Sequence, residues 1–90
     1  MVGINGAKYK LMPESPSVNL ETIKDSARKI VEEFGGINKE YSEEPIAFGL
    51  KSITVFFFYP DNQDPEQLEA KFASIENVAS AQLIDMRKIA

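Results

Sequence analysis

The run from Lys51 to Tyr59, Lys-Ser-Ile-Thr-Val-Phe-Phe-Phe-Tyr, restricts the fold more than any other part of this chain. β-Branched and aromatic side chains of this density fit the pleated surface of a sheet, and the run is too short for a buried helix. We therefore predict a strand here, in a central position of its sheet.

The chain before this strand begins with a second, shorter strand pattern. Residues from about 7 to 12 alternate, so that Tyr9 and Leu11 share one face, and Pro13 interrupts the pattern because proline cannot donate to a ladder. The preceding Gly3–Lys8 lacks the glycine spacing and the Ser/Thr of a phosphate loop. We interpret it as a flexible leader into the first strand.

A helix and an edge strand are predicted between these two strands. Ser17 or Asn19 can cap the helix, and Gly35-Gly36 ends it where a left-handed residue is expected. The apolar side chains are spaced by three and four residues and form one stripe: Leu20, Ile23, Ala27, Ile30, Val31 and Phe34. Residues 37–48 are polar and contain Pro45, which an edge strand tolerates.

A second helix and a last strand follow the central strand. Asp64 is the predicted cap, with Pro65 at the first position and Gln67 in the place of a capping box. The buried stripe of this helix consists of Leu68, Phe72 and Ile75. The last strand covers about 78–88, but its alternation is ambiguous because two apolar pairs are out of phase with each other, Ala81/Leu83 and Ile84/Met86.

The order of elements is thus β-α-β-β-α-β. Two right-handed crossovers around a hairpin give a four-stranded antiparallel sheet with both helices on one face. The predicted fold class is α+β, a ferredoxin-like βαββαβ sandwich. Residues 1–90 are expected to form a single domain, because a chain this short has room for one core. This fold serves many functions and indicates none by itself.

The composition excludes several classes of function. The chain has no Cys and no His, so it lacks thiol nucleophiles, Cys-ligated metals and the commonest general base. The Asp61–Asp64 turn lacks the glycine and bidentate Glu of a calcium loop. We expect no enzyme activity, no cofactor and no metal.

The net charge of −4 argues against nucleic-acid binding. With no membrane span or secretory signal, a cytoplasmic protein is expected.

The aromatic run Phe56–Tyr59 leaves an alternative function open. Alternate members of a strand point to opposite faces, and the helices cover only one face. Either Phe56 and Phe58 or Phe57 and Tyr59 would then lie on the open face, as in RNA-binding modules of the same topology. Because the basic signature of those modules is missing, we favour core packing or a protein interface over RNA binding.

Several stretches together resemble the translation elongation factor 1-beta family. They are Lys10-Leu11-Met12-Pro13, Ala47-Phe48-Gly49-Leu50-Lys51 before the strand from Ile53, the acidic turn with the Leu68-Glu69 helix, Val78-Ala79-Ser80, and Met86-Arg87-Lys88-Ile89-Ala90. The resemblance covers essentially the whole chain. Its compact form is similar to the archaeal members.

The resemblance implies exchange of GDP for GTP on elongation factor 1-alpha, the GTPase that carries aminoacyl-tRNA. By position, Lys88 is the lysine that would disturb the magnesium and phosphate site of the GTPase, although the neighbouring Arg87 leaves open which cation enters. Phe48 corresponds to the aromatic residue that touches the GTPase. The implied partner-binding residues are Phe48, Gly49, Lys51, Met86 and Arg87.

Overall fold

The computed structural model describes residues 2–90, and Met1 lies outside the described residues. Its elements follow in the predicted order: β1 (Ile4–Pro13), α1 (Leu20–Glu33), β2 (Ile37–Pro45), β3 (Lys51–Pro60), α2 (Pro65–Ala73) and β4 (Val78–Lys88). The strands form a 4-stranded sheet in the order β2-β3-β1-β4, and each neighbouring pair is antiparallel. The ferredoxin-like α+β prediction is confirmed, with β3 central and β2 at an edge.

The first strand begins earlier than the sequence pattern indicated. Asn5 already pairs with Tyr59 of β3 and with Lys88 of β4. The prediction of a flexible leader was therefore wrong for the residues from Ile4 onward. Pairing on both sides satisfies the backbone there, and a pattern of side chains cannot reveal it.

The core lies between the sheet and the helices. Alternate residues of β3, among them Val55 and Phe57, are fully buried on the helix-covered face. The Phe57 ring stacks on Tyr9 at 5.8 Å between centroids, and Phe72 of α2 lies 5.1 Å from Tyr9. Three elements thus meet in one aromatic cluster, which fixes α2 on the sheet.

The helices begin and end close to the predicted residues. Asn19 caps α1, because its side-chain oxygen accepts a hydrogen bond from the Glu21 N–H at 3.0 Å. Gly35 follows the helix with φ of +76°, which suits a residue without a Cβ. Asp64 caps α2 by accepting from the Glu66 N–H at 2.9 Å.

A β-bulge explains the ambiguous alternation of the last strand. Lys8 pairs with Asp85 while Tyr9 pairs with Leu83, so Ile84 is an extra residue in β4. An extra residue reverses the alternation beyond it. Leu83 before the bulge and Met86 after it therefore both pack against the core.

Candidate functional site

The backbone around Lys88 is fixed to the sheet. Ile4 donates its N–H to the carbonyl oxygen of Ala90 at 2.7 Å, and Ile89 donates to the Ile4 carbonyl oxygen at 2.7 Å. The Lys88 side chain is nevertheless 70% exposed, and its Nζ lies 3.3 Å from Oδ2 of Asp61. Any movement of this cation therefore comes from the side chain and not from a loose tail.

Asp61 lies in the turn between β3 and α2 and is held there by its own backbone. Its N–H donates to the carbonyl oxygen of Gly3 at 2.9 Å. The turn, the residues before β1 and the end of β4 thus meet at one corner of the molecule. We call Asp61 and Lys88 the lysine end of the sheet.

The two neighbouring cations point to different faces. The Nε of Arg87 lies 3.3 Å from Oδ2 of Asp85, and Arg87 lines a cleft of about 280 Å³ on the open face together with Lys8 and Phe56. Lys88, next in the strand, points to the side of the helices, where it meets Asp61. The two cations therefore extend from opposite faces of the sheet at this end.

Met86 is directed toward the protein interior. It is partly buried against the core, and the Tyr59 hydroxyl donates to its sulfur at 3.5 Å. The described contacts give Met86 a packing role beneath the lysine end, whereas its role in partner binding stays a prediction.

Phe48 lies at the tip of the turn between β2 and β3. Leu50 donates its N–H to the Ala47 carbonyl oxygen at 2.9 Å, and φ is 55° at Phe48 and 79° at Gly49. Positive φ at both central residues is the pattern of a type I′ turn. Gly49 suits it, but Phe48 pays roughly 1–2 kcal/mol for the left-handed conformation. Phe48 is 96% exposed, so no packing within the domain compensates this strain.

The predicted site residues fall into two groups at opposite ends of the sheet. Phe48, Gly49 and Lys51 form the turn end, where β3 begins. Lys88 pairs with Asn5, which pairs in turn with Tyr59 near the end of β3. At about 3.3 Å per residue, the two ends are roughly 25–30 Å apart along β3.

The open face carries one of the two aromatic pairs considered from the sequence. Phe57 and Tyr59 are core residues, whereas Phe56 and Phe58 form an edge-to-face pair at 5.6 Å on the open face. The ammonium of Lys8 lies 5.5 Å from the Phe56 ring centroid, and that of Lys39 lies 4.9 Å from that of Phe58. These lysines occupy positions that a stacked base would need. RNA binding stays an untested prediction.

Comparison with known proteins shows the family of this chain. The family model of the EF-1 guanine nucleotide exchange domain matches residues 7–89. The chain belongs to this family. The family identifies it as a guanine-nucleotide exchange factor of translation elongation, which acts on a partner GTPase and is not itself a catalytic enzyme.

Curated archaeal relatives match this exchange domain over most of their length. Elongation factor 1-beta of Methanococcus vannielii is 35% identical over 89% of this chain and 91% of its own. The protein of the same name from Methanosarcina barkeri is 33% identical over 98% of this chain and 100% of its own. That of Methanobrevibacter smithii is 36% identical over 92% of this chain and 93% of its own.

Within residues 2–90, no group of three or more Asp, Glu, His or Cys side chains could hold a metal ion. No helix among the same residues has the length and apolar character needed to cross a membrane.

The sequence did not identify Asp61 as a residue of the lysine end. Asp61 was interpreted only as part of a turn, because its contact with Lys88 joins residues separated by 27 positions. Local spacing carries no signal of such a contact. The acidic character of this turn was the only indication.

Proposed function

We propose that this chain accelerates the exchange of GDP for GTP on elongation factor 1-alpha by bringing the Lys88 ammonium to the Mg²⁺ and phosphate site of that GTPase. The observation that carries the proposal is the exposed Lys88 side chain on a strand end whose backbone is hydrogen-bonded to β1. A fixed backbone delivers a charge without first having to order a flexible segment, which lowers the entropic cost of binding.

Electrostatic repulsion is large enough to account for such an effect. A lysine charge about 4 Å from a divalent cation is repelled by roughly 8 kcal/mol at an effective dielectric constant near 20, which is twice the value for two unit charges. Relaxation removes much of this energy, but each 1.4 kcal/mol that remains weakens nucleotide binding tenfold. Linkage requires that bound GDP weakens the binding of the exchange factor by the same factor.

The turn end supplies the second part of the proposed contact. Phe48 presents an exposed aromatic ring in a strained conformation, and strained residues of this kind cluster at functional sites. Gly49 and Lys51 flank it in the same turn region. A GTPase that contacts both ends of the sheet covers roughly 25–30 Å of this domain, which fits a partner of more than one domain better than a small pocket.

We also propose the domain organisation, the cellular location and the ligand requirements of the protein. Residues 1–90 would act as one exchange-factor domain in the cytoplasm, with no cofactor, no metal and no contact to membrane or nucleic acid. Binding to the GTPase is then the whole activity, which suits a composition without Cys or His.

The test is the release of labelled GDP from elongation factor 1-alpha in the presence of excess unlabelled nucleotide. The wild-type domain should accelerate release, and Lys88→Ala should reduce the acceleration at least about tenfold, since this loses 1.4 kcal/mol or more of the repulsion. Lys29→Ala is the matched control, because it removes an exposed lysine of α1 that is not among the predicted partner-binding residues. Release that the wild-type protein leaves unchanged would refute the exchange function on this GTPase.

A further inference from the structure

The ion pair between Asp61 and Lys88 joins two side chains whose backbones are each held in place. The Asp61 N–H donates to the carbonyl oxygen of Gly3. Ile89 and Ala90, which follow β4, are hydrogen-bonded to the carbonyl oxygen and the N–H of Ile4. The 3.3 Å contact between Lys88 Nζ and Asp61 Oδ2 therefore forms and opens through rotation of the two side chains.

Gly3 makes the space for this pair. A Cβ at this position would lie 2.5 Å from Oδ2 of Asp61 and 3.1 Å from Nζ of Lys88. The same Cβ would lie 2.8 Å from the backbone carbonyl oxygen of Ala90, so a larger residue at this position would displace both the Asp61 carboxylate and the Ala90 backbone. The corner thus combines a residue without a side chain, a carboxylate that is only 30% exposed, and the ammonium.

We propose that Asp61 is the resting partner of the Lys88 ammonium, which leaves this carboxylate to enter the GTPase and returns to it when the nucleotide rebinds. This inference rests on the proposed function of Lys88. One ammonium cannot stay at the Asp61 carboxylate and also approach a Mg²⁺ ion in a separate protein. Asp61 therefore competes with the GTPase for the same charge and lowers the apparent affinity of the exchange complex.

The competition is expected to be weak, because the pair is open to solvent. Exposed ion pairs shift an equilibrium by up to about fivefold. Salt screens them, with a Debye length of about 10 Å at 0.1 M and about 3 Å at 1 M ionic strength. Asp61 therefore restrains the lysine without trapping it, which suits a side chain that has to leave and return in each cycle.

The experiment measures the GDP-release rate against the concentration of exchange factor for the wild type and for Asp61→Asn. The substitution keeps the shape of the side chain and removes its charge. We expect the half-saturating concentration to fall about two- to fivefold with little change in the maximal rate. Asp61→Glu, which keeps the charge, should behave like the wild type. Glu33→Gln, which removes an exposed charge at the end of α1, should also change nothing.

The same substitution in the Lys88→Ala background separates this proposal from the proposed function. Asp61→Asn should have no effect there, and its gain in the wild-type background should shrink as the ionic strength rises to 1 M. An equal gain without Lys88 would show a general effect of charge on association and overturn the resting-partner role. A half-saturating concentration that stays unchanged or rises would overturn it as well. If Lys88→Ala itself leaves release unchanged, the proposed function fails first.

Discussion

At the scale of single residues, Phe48 shows a conflict between local conformation and side-chain type. The type I′ turn demands positive φ at two positions, and Asn-Gly is the pair that adopts it most readily. This chain has Phe-Gly instead, with the ring almost entirely in solvent. A residue that is unfavourable for the turn and unused by the core is consistent with the proposed contact with the GTPase.

Phe48→Asn should therefore stabilise the isolated domain while it weakens exchange. Relief of the left-handed strain is worth about 1 kcal/mol, which corresponds to a rise in melting temperature of roughly 4–8 °C for a domain of this size. Differential scanning calorimetry and the GDP-release assay measure the two effects. Gly49→Ala is the control and should lower the melting temperature, because φ is 79° there. A Phe48→Asn variant with full exchange activity would remove Phe48 from the proposed contact.

At the scale of elements, one ion pair connects α1 with the edge strand β2. Nζ of Lys24 lies 2.6 Å from Oε2 of Glu43, and the Lys24 side chain is largely buried. This hydrogen bond lowers the pKa of the Glu43 carboxyl and raises the pKa of the Lys24 ammonium. Most residues of β2 are exposed, but Tyr41 packs against the core.

Glu43→Gln should make the protein less stable at neutral pH and less sensitive to acid. A carboxyl whose pKa is lowered by folding adds stability above its unfolded pKa, and that stability disappears as the pH falls below about 4. Urea unfolding of the wild type and the variant should therefore differ at pH 7 and converge at low pH. The Lys24 ammonium has the opposite dependence and loses its contribution only as the pH rises above its ordinary pKa. A difference that persists in acid would contradict this assignment.

At the scale of the whole molecule, the two faces of the sheet differ in what covers them. The helix-covered face holds the core, and the open face carries partly exposed aromatic rings with lysines above them. Phe56 and Phe57 are neighbours in one strand and lie on opposite faces. Substituting each of them separately therefore distinguishes the contribution of the core to stability from that of the open face.

Phe57→Ala should cost about 3–5 kcal/mol of unfolding free energy, because it empties the centre of the aromatic cluster. The total stability of a small domain is about 5–15 kcal/mol, so much of it would be lost. Phe56→Ala should cost clearly less, since its ring is partly in solvent and leaves no enclosed cavity. Chemical denaturation compares the two variants directly. Equal losses of unfolding free energy would mean that Phe56 on the open face stabilises the fold as much as the buried Phe57.

Local sequence signals were sufficient to predict the helices and strands and their order. Spacing of apolar residues, the Asn19 and Asp64 caps and the glycines after α1 all act within a few residues, and each was visible before the structure. The family resemblance pointed to exchange and to Lys88 for the same reason, since it was carried by short stretches of sequence.

The contacts between these residues could not be predicted from local sequence, because they join distant parts of the chain. The bulge at Ile84 depends on the register against β1, and the contact of Lys88 with Asp61 depends on strands that are distant in the chain. Which face Arg87 points to and which face Lys88 points to depends on that register as well. Pairing between strands joins residues that are distant in the chain and so determines which side chains lie next to each other. A local sequence pattern does not contain that information.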